Sequence, residues 1–253
     1  MALTNIHLTV ASGTVCAVLG PTNSGKTTLL HAIAGTLGSH HHDALTAGSI
    51  GIGEQLFRPL PRSVLFPTIG LTIQDPYYQI SGLRDSVGEE VALTLESLDV
   101  DHSEIQSRVT MLLESLGISH LATRKPATLS GGELQRVALA NILIAEPSIL
   151  LLDEPANSLD GTSLQRLAAV VSGLKGSSTI VIADSQIDLA LMVADQIVVM
   201  DGGRLVFSGD RIKFIESLPM FSSLLPVDTI ELALTALAAI KQKDWITRLI
   251  DHR

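Results

Sequence analysis

Residues 20–27 read Gly20, Pro21, Thr22, Asn23, Ser24, Gly25, Lys26, Thr27, and no other stretch of the chain constrains its fold as tightly. The pattern G-x-x-x-x-G-K-[ST] is a phosphate-binding loop. Its glycines let the backbone curl until successive N–H groups point inward at phosphate oxygens, and the helix that follows adds the positive end of its dipole. That mechanism demands a strand before the loop and a helix after it. The sequence supplies both: residues 14–19 (TVCAVL) are a short apolar strand, and residues 26–34 form a helix stopped by Gly35. Lys26 is expected on the β/γ-phosphates and Thr27 on Mg²⁺.

Downstream, short apolar runs alternate with helix-period segments, which predicts an α/β fold with a mostly parallel sheet covered by helices. Residues 148–152 (SILLL), 179–183 (TIVIA) and 196–200 (QIVVM) read as strands, continuous enough to be buried on both faces. Weaker strands are expected at 49–52 and 70–73, the latter ending at Gln74. Residues 85–120 are helical in pattern, with Val109, Leu112, Leu113 and Leu116 on one face, and a further helix is expected over 133–145. Asp201-Gly202-Gly203-Arg204 is a hairpin turn into residues 205–207. From Asp210 the tail is helical and amphipathic, interrupted by Pro219 and Pro226.

Composition excludes several classes. The chain has 253 residues, enough for one large core with an appendage and no need of disulfides or a structural metal. Mean hydropathy is positive (+0.37), yet the longest apolar stretch, 190–200, is interrupted by Asp195 and falls short of the about 18 residues of a spanning helix. The first residues lack the features of a secretory leader, and the lone Cys16 reads as a reduced core residue, so a cytosolic chain is expected. A net charge of −9 argues against nucleic acid as a partner. His40, His41, His42 and Asp43 offer metal-ligand chemistry, but adjacent side chains seldom face one ion, and a solvated loop is the expectation. Asp184, Asp188 and Asp195 are expected in solvated or capping roles. The amphipathic stretches 230–240 and 245–250 are expected to serve core packing or dimer contact, because Lys241, Lys243 and Arg248 are too sparse for a membrane anchor.

Two carboxylates, Asp153 and Glu154, close the strand at 148–152. Alone they would read as an ordinary solvated turn. Downstream of a phosphate loop, Asp153 is placed to hold Mg²⁺ through water and Glu154 to act as general base on the attacking water.

Leu129-Ser130-Gly131-Gly132-Glu133-Leu134-Gln135-Arg136 resembles the signature of ATP-binding-cassette (ABC) ATPases. Ser130 and the amides of Gly131 and Gly132 would cap a helix at Glu133, a second anion-binding helix start. The resemblance spans residues 2–204 and implies the fold of that family: a P-loop NTPase core with an added antiparallel β part, a helical signature subdomain at about 85–145 within a domain over 1–209, and a helical extension over 210–253. It implies that Gly20 to Thr28 bind ATP with Mg²⁺ held by Thr27, Gln74 and Asp153, and that Ser130, Gly131, Gly132 and Glu133 close over the nucleotide of a second ABC ATPase. Gln74 looks like the family's glutamine loop, which contacts the metal and the attacking water and senses a membrane partner. Asn157-Ser158-Leu159-Asp160 resembles the loop that crosses the dimer interface. Gln74-Asp75-Pro76-Tyr77-Tyr78-Gln79, Glu89-Glu90-Val91-Ala92 and residues 225–239 are similar to the energy-coupling-factor (ECF) branch of importers for cobalt, nickel and vitamins. That branch implies an ATPase pair, a heterodimer before a homodimer, with a transmembrane coupling subunit and a substrate-binding membrane subunit, at the cytoplasmic face of the membrane.

The chain departs from the family pattern in two ways. Its switch histidine falls on Ser185, with Asp184 and Gln186 on either side. Serine is shorter and carries no positive charge, so it stabilises the γ-phosphate less. The family also stacks adenine on an aromatic before the stretch resembling residues 3–10, whereas the first aromatic here is Phe57. Either the start is shortened or adenine is held by other means. The expected activity is therefore ATP hydrolysis driving a membrane importer through dimer closure, slowed at this chain's own site. Two alternatives stand beside it. A non-transport ABC protein is disfavoured by the acidic charge and the absence of a long coiled-coil insertion. A catalytically silent ATP-binding subunit is favoured by Ser185 and opposed by Lys26, Asp153 and Glu154.

Overall fold

The computed structural model describes residues 3–37, 48–57, 67–157 and 159–225. His40 to Asp43, Ser158 and the amphipathic stretches beyond residue 225 lie outside them.

The strands come in two groups. The large sheet contains β1 (Val15–Leu19), β4 (Ile69–Leu71), β5 (Ile149–Asp153), β6 (Thr179–Asp184), β7 (Gln196–Asp201) and β8 (Arg204–Gly209). A separate antiparallel hairpin pairs β2 (Ile50–Ile52) with β3 (Gln55–Phe57). In the large sheet the order is β4-β5-β6-β1-β7-β8, parallel throughout except for the β7–β8 pair. Gly202 and Gly203 turn that pair with φ of 53° and 79°, a left-handed combination open to glycine at both positions.

The unbroken apolar runs have a plain cause: both faces of the sheet are covered. Along β1, Val15, Ala17 and Leu19 face one core, while Cys16 and Val18 face another. Strands β5, β6 and β7 alternate the same way: Leu150, Ile180 and Ile197 join the first cluster, and Leu151, Val181 and Val198 join the second. The second cluster is closed by α1 (Lys26–Ile33) through Leu29 and Leu30. The first is closed by α2 (Val87–Glu96), α3 (His102–Ser115), α4 (Gly131–Leu143), α5 (Gly161–Gly173), α6 (Asp188–Val193) and α7 (Arg211–Ser217). Burial pushes the Cys16 thiol up to about 12, in keeping with an inert core residue.

Local details correct the sequence reading. The helical stretch at 85–120 is two α-helices, because Asp99 takes a positive φ of 57° and Asp101 caps the second helix by accepting from Ser103 N at 2.9 Å. A helix at α5 went unread, although Asp160 accepts from Ser163 N at 2.7 Å and Leu164, Leu167, Ala168 and Val171 lie on its inner face. Strand β3 also went unread.

Candidate nucleotide site

In a parallel sheet the crevice lies at the carboxyl ends of the strands. Several sequence-predicted residues gather there, with others that the sequence did not mark. Gly20 follows β1, Thr72 follows β4, Asp153 ends β5 and Asp184 ends β6, with Asp153 paired in register to Ala183 and Leu19 to Asp184.

The loop itself needs its glycines. A Cβ on Gly20, whose φ is 153°, would lie 2.3 Å from the carbonyl oxygen of Met200. Gly25 is the N-cap of α1 at a φ of 105°, and no side chain caps the helix. Helix geometry leaves the first-turn N–H groups without intrahelical acceptors, so the helix end stays open to an anion. The buried Lys26 folds back over the loop, its Nζ donating to the carbonyls of Gly20 at 2.8 Å and Pro21 at 3.0 Å. Burial lowers the Lys26 pKa, and the charges of Glu154, Asp184 and Asp153 oppose that shift. Residues 3–10 run beside the loop: Thr4 N donates to Gly203 O at 2.9 Å, and a Cβ on Gly25 would meet Leu3 Cδ2 at 3.2 Å.

Thr27 Oγ1 donates to Asp153 Oδ1 at 3.2 Å, while Asp153 Oδ2 is buried without a partner. Burial raises the Asp153 pKa, against the hydrogen bond from Thr27 that lowers it. One hydroxyl beside one carboxylate with an unspent oxygen fits Mg²⁺, which takes few protein ligands and completes its shell with water and phosphate. Among the described residues no group of three or more His, Cys, Asp or Glu could hold a metal unaided. A metal at Thr27 and Asp153 would therefore depend on nucleotide oxygens.

Glu154 is half-buried and adopts a positive φ of 48°, an unusual conformation for a residue of this kind. Its N–H donates to Ala183 O at 2.7 Å. Gln74 Nε2 reaches its Oε2 at 3.1 Å, so the two residues do meet. The loop carrying Gln74 is latched by Gln79, whose Oε1 accepts from Ile73 N at 3.1 Å and whose Nε2 donates to Leu71 O at 3.0 Å. Thus the first glutamine of the QDPYYQ run faces the site and the last closes the loop. The buried Glu90 holds the far end, accepting from Ser81 N at 2.6 Å and Ser81 Oγ at 2.7 Å.

Ser130 stands apart from this group, at the exposed N-terminus of α4. It forms a full capping box with Glu133: Ser130 Oγ accepts from Glu133 N at 3.4 Å, and Ser130 N donates to Glu133 Oε2 at 2.8 Å. That backbone bond leads the causes holding the Glu133 carboxyl below its ordinary pKa. Gly131 has open space where a Cβ would sit.

Asp184 departs from the sequence reading. It accepts from Gln186 N at 2.9 Å but caps no helix, and it is not solvated: its exposure is 2% and its Oδ2 has no partner. Its place at the end of a central strand beside β1 is the signal that marks it as interior. Burial pushes its pKa from 3.8 up to about 6, with repulsion from Glu154 adding to the shift. The folded chain therefore holds this proton more tightly than the unfolded chain, and stability attributable to Asp184 declines as pH rises from 3.8 to about 6. Asp184→Asn is expected to stabilise the nucleotide-free chain at pH 7.5 by about 1–3 kcal/mol, with the gain vanishing below about pH 4. Urea unfolding at the two pH values in EDTA checks this. Asp195 is exposed and caps no helix: it accepts from Val15 N at the start of β1 at 2.9 Å and pairs with Lys175 at 2.7 Å. Asp188 lies in the first turn of α6.

Sequence reasoning missed two residues that brace the site. Thr72 Oγ1 accepts from Asp153 N at 3.0 Å, and Gln135 Nε2 donates to the carbonyls of Glu154 and Pro155, both at 3.2 Å. The only local hint was the place of Gln135 on the signature helix.

Comparisons with known proteins bear on the family and the fold. The family model described as ABC transporter matches residues 3–157. The energy-coupling factor transporter ATP-binding protein EcfA1 of Levilactobacillus brevis is 35% identical over 207 residues, 81% of this chain and 71% of that protein. A Sulfurisphaera tokodaii relative is 33% identical over 204 residues, and the chain spans only 43% of its length. Among solved structures, cbiO1 from Clostridium perfringens, described as part of the ABC transporter complex cbiONQ, superposes with a TM-score of 0.74 at 28% identity, covering 95% of this chain and 92% of that one. A dimeric ATP-binding cassette in a post-hydrolysis state bound to ADP and Pi superposes at 0.70 with 25% identity, covering 83% and 90%.

Proposed function

The chain belongs to the ABC transporter family, as an ATPase of that family, and from that premise we propose that it powers an ECF-type importer at the cytoplasmic face of a membrane. The observation that carries the catalytic part is the convergence of Lys26, Thr27, Asp153, Glu154 and Gln74 at the carboxyl ends of the strands, with Thr27 on Asp153 and Gln74 on Glu154. The likeness to EcfA1 and cbiO1 supports the ECF assignment. No helix among the described residues is long and apolar enough to cross a membrane, so spanning falls to partner subunits in this reading.

The loop from Gly20 to Thr28 binds ATP. Bound Mg²⁺ would be held by Thr27 and Gln74 and, through water, by Asp153, and it would neutralise phosphate charge. Lys26 leaves its two carbonyls for the β/γ-phosphates. Glu154 takes the proton of the attacking water, with Gln74 orienting both. Ser130, Gly131, Gly132 and Glu133 present an exposed helix start to the nucleotide of a second ATPase, preferentially a non-identical one. Tyr77, Tyr78 and Leu83, exposed at 70%, 77% and 77% beside Gln74, offer an apolar face to the transmembrane coupling subunit. In this reading residues 1–209 are the nucleotide-binding domain, about 85–145 its helical signature part, and 210–253 an extension.

Ser185 makes this chain's own site slow, because a half-buried hydroxyl supplies no positive charge to the γ-phosphate. Ser185→His is expected to raise hydrolysis by the purified chain about tenfold or more. Phosphate release by the chain alone and with its partner ATPase tests both parts. Brisk turnover by the isolated chain, unchanged in Ser185→His, rejects the slow site. Tight MgATP binding with no turnover in any complex would instead favour a silent regulatory subunit, the reading that Ser185 itself suggests.

A further inference from the structure

Gln135 lies five positions beyond Ser130 on the same helix, yet its side chain points into the opposite half of the site. Both of its acceptors are backbone carbonyls, those of Glu154 and Pro155 at 3.2 Å, so the amide nitrogen end must face them. Both carbonyls lie on the C-terminal side of Glu154, the residue that holds an unusual φ of 48°. On its other side, the backbone of Glu154 is fixed by the 2.7 Å bond from its N–H to Ala183 O. The backbone that aims Glu154 is thus clamped between β6 and α4.

A small cleft lies beside α4, and Thr72, Pro76, Gln135, Asp153, Pro155 and Leu159 are among the residues that line it. Two hydrogen bonds join α4 directly to the Glu154–Pro155 backbone, beside the packing of Val137, Leu139 and Ala140 in the core cluster that also holds Ala156. A shift of α4 therefore pulls on the Glu154–Pro155 backbone through Gln135.

We propose that Gln135 is a positioning residue that ties the signature helix to the aim of Glu154, so that closing of the helix start on one nucleotide sets the general base at the other. The proposal rests on Glu154 being the base, as argued above. Ser130 would act across the dimer while Gln135 acts within its own chain, and a single helix would then couple the two sites.

The test is single-turnover hydrolysis of MgATP by the full chain with Gln135→Leu, Glu154→Gln and the double variant. Gln135→Leu is expected to slow the chemical step on the order of tenfold, with half-saturating MgATP and MgATP affinity within about twofold of the parent chain. On the Glu154→Gln background it is expected to add no further loss, because both changes disable the same group. Gln135→Glu provides the second variant. It should be slow at neutral pH, where a carboxylate faces two carbonyls, and recover relative to the parent chain as pH falls and its protonated form again offers a donor. An unchanged rate in Gln135→Leu, a full additional loss in the double variant, a matching fall in MgATP affinity, or a Gln135→Glu profile parallel to the parent chain's overturns the proposal and leaves the reading of Glu154 intact. Parent-level hydrolysis by Glu154→Gln takes down both.

Discussion

Glu154→Gln is expected to slow hydrolysis of MgATP by about 10²–10⁴-fold while leaving nucleotide bound. The substitution keeps size and shape and removes only the ability to take a proton. The contact with Gln74, now 3.1 Å from Glu154 Oε2, survives, because a glutamine oxygen can accept the same hydrogen bond. The backbone is anchored through Ala183 and Gln135 rather than through the side chain, so the φ of 48° is retained as well. The expected state is a chain that binds MgATP, closes with its partner and stays closed. Phosphate release measured beside binding of a fluorescent ATP analogue decides the matter. Loss of binding in proportion to loss of rate would show that Glu154 holds the nucleotide rather than activating water.

Lys26→Ala is expected to fail one step earlier. In the nucleotide-free chain Lys26 spans the loop, donating to Gly20 O at 2.8 Å and Pro21 O at 3.0 Å, and its charge faces Glu154, Asp184 and Asp153. Those carbonyl bonds hold the ammonium in place until a phosphate competes for it. Charged hydrogen bonds of this kind contribute about 1.5–3 kcal/mol, so MgATP affinity is expected to fall about 10–100-fold, with hydrolysis falling at least as far. Titration calorimetry on Lys26→Ala and Glu154→Gln separates the two roles: the first should lose affinity and the second should not. Equal affinity for Lys26→Ala and the parent chain would remove Lys26 from the phosphate contacts.

Much of this was legible from local pattern. The loop at residues 20–27 announced its strand and helix because only glycine permits the close approach of Gly20 to Met200 O, and only a helix start gives the first-turn N–H groups a common direction. The capping box of Ser130 and Glu133 was legible for the same reason, since its partners lie three residues apart. The continuous apolar runs at β5, β6 and β7 reported a sheet covered on both faces. What escaped was non-local. Gln135 is 19 residues from Glu154 in sequence, and Thr72 is 81 from Asp153, so no spacing rule joins them. Asp184 was misjudged as solvated because a terminal aspartate of an apolar strand looks the same whether that strand ends in water or beside β1.

The sequence by itself determined most of the strands and helices that build the site, the loop that receives phosphate and the identity of the carboxylates, because each depends on bonds within a few residues. Tertiary structure alone decided the strand order β4-β5-β6-β1-β7-β8, which sets Thr27 on Asp153 and Gln74 on Glu154, and buries Asp184 beside them. It also decided that a residue of the signature helix grips the backbone of Glu154. Hydrogen bonds and desolvation between distant segments exist only after the chain has closed on itself, and those are the terms that turn a set of motif residues into a site.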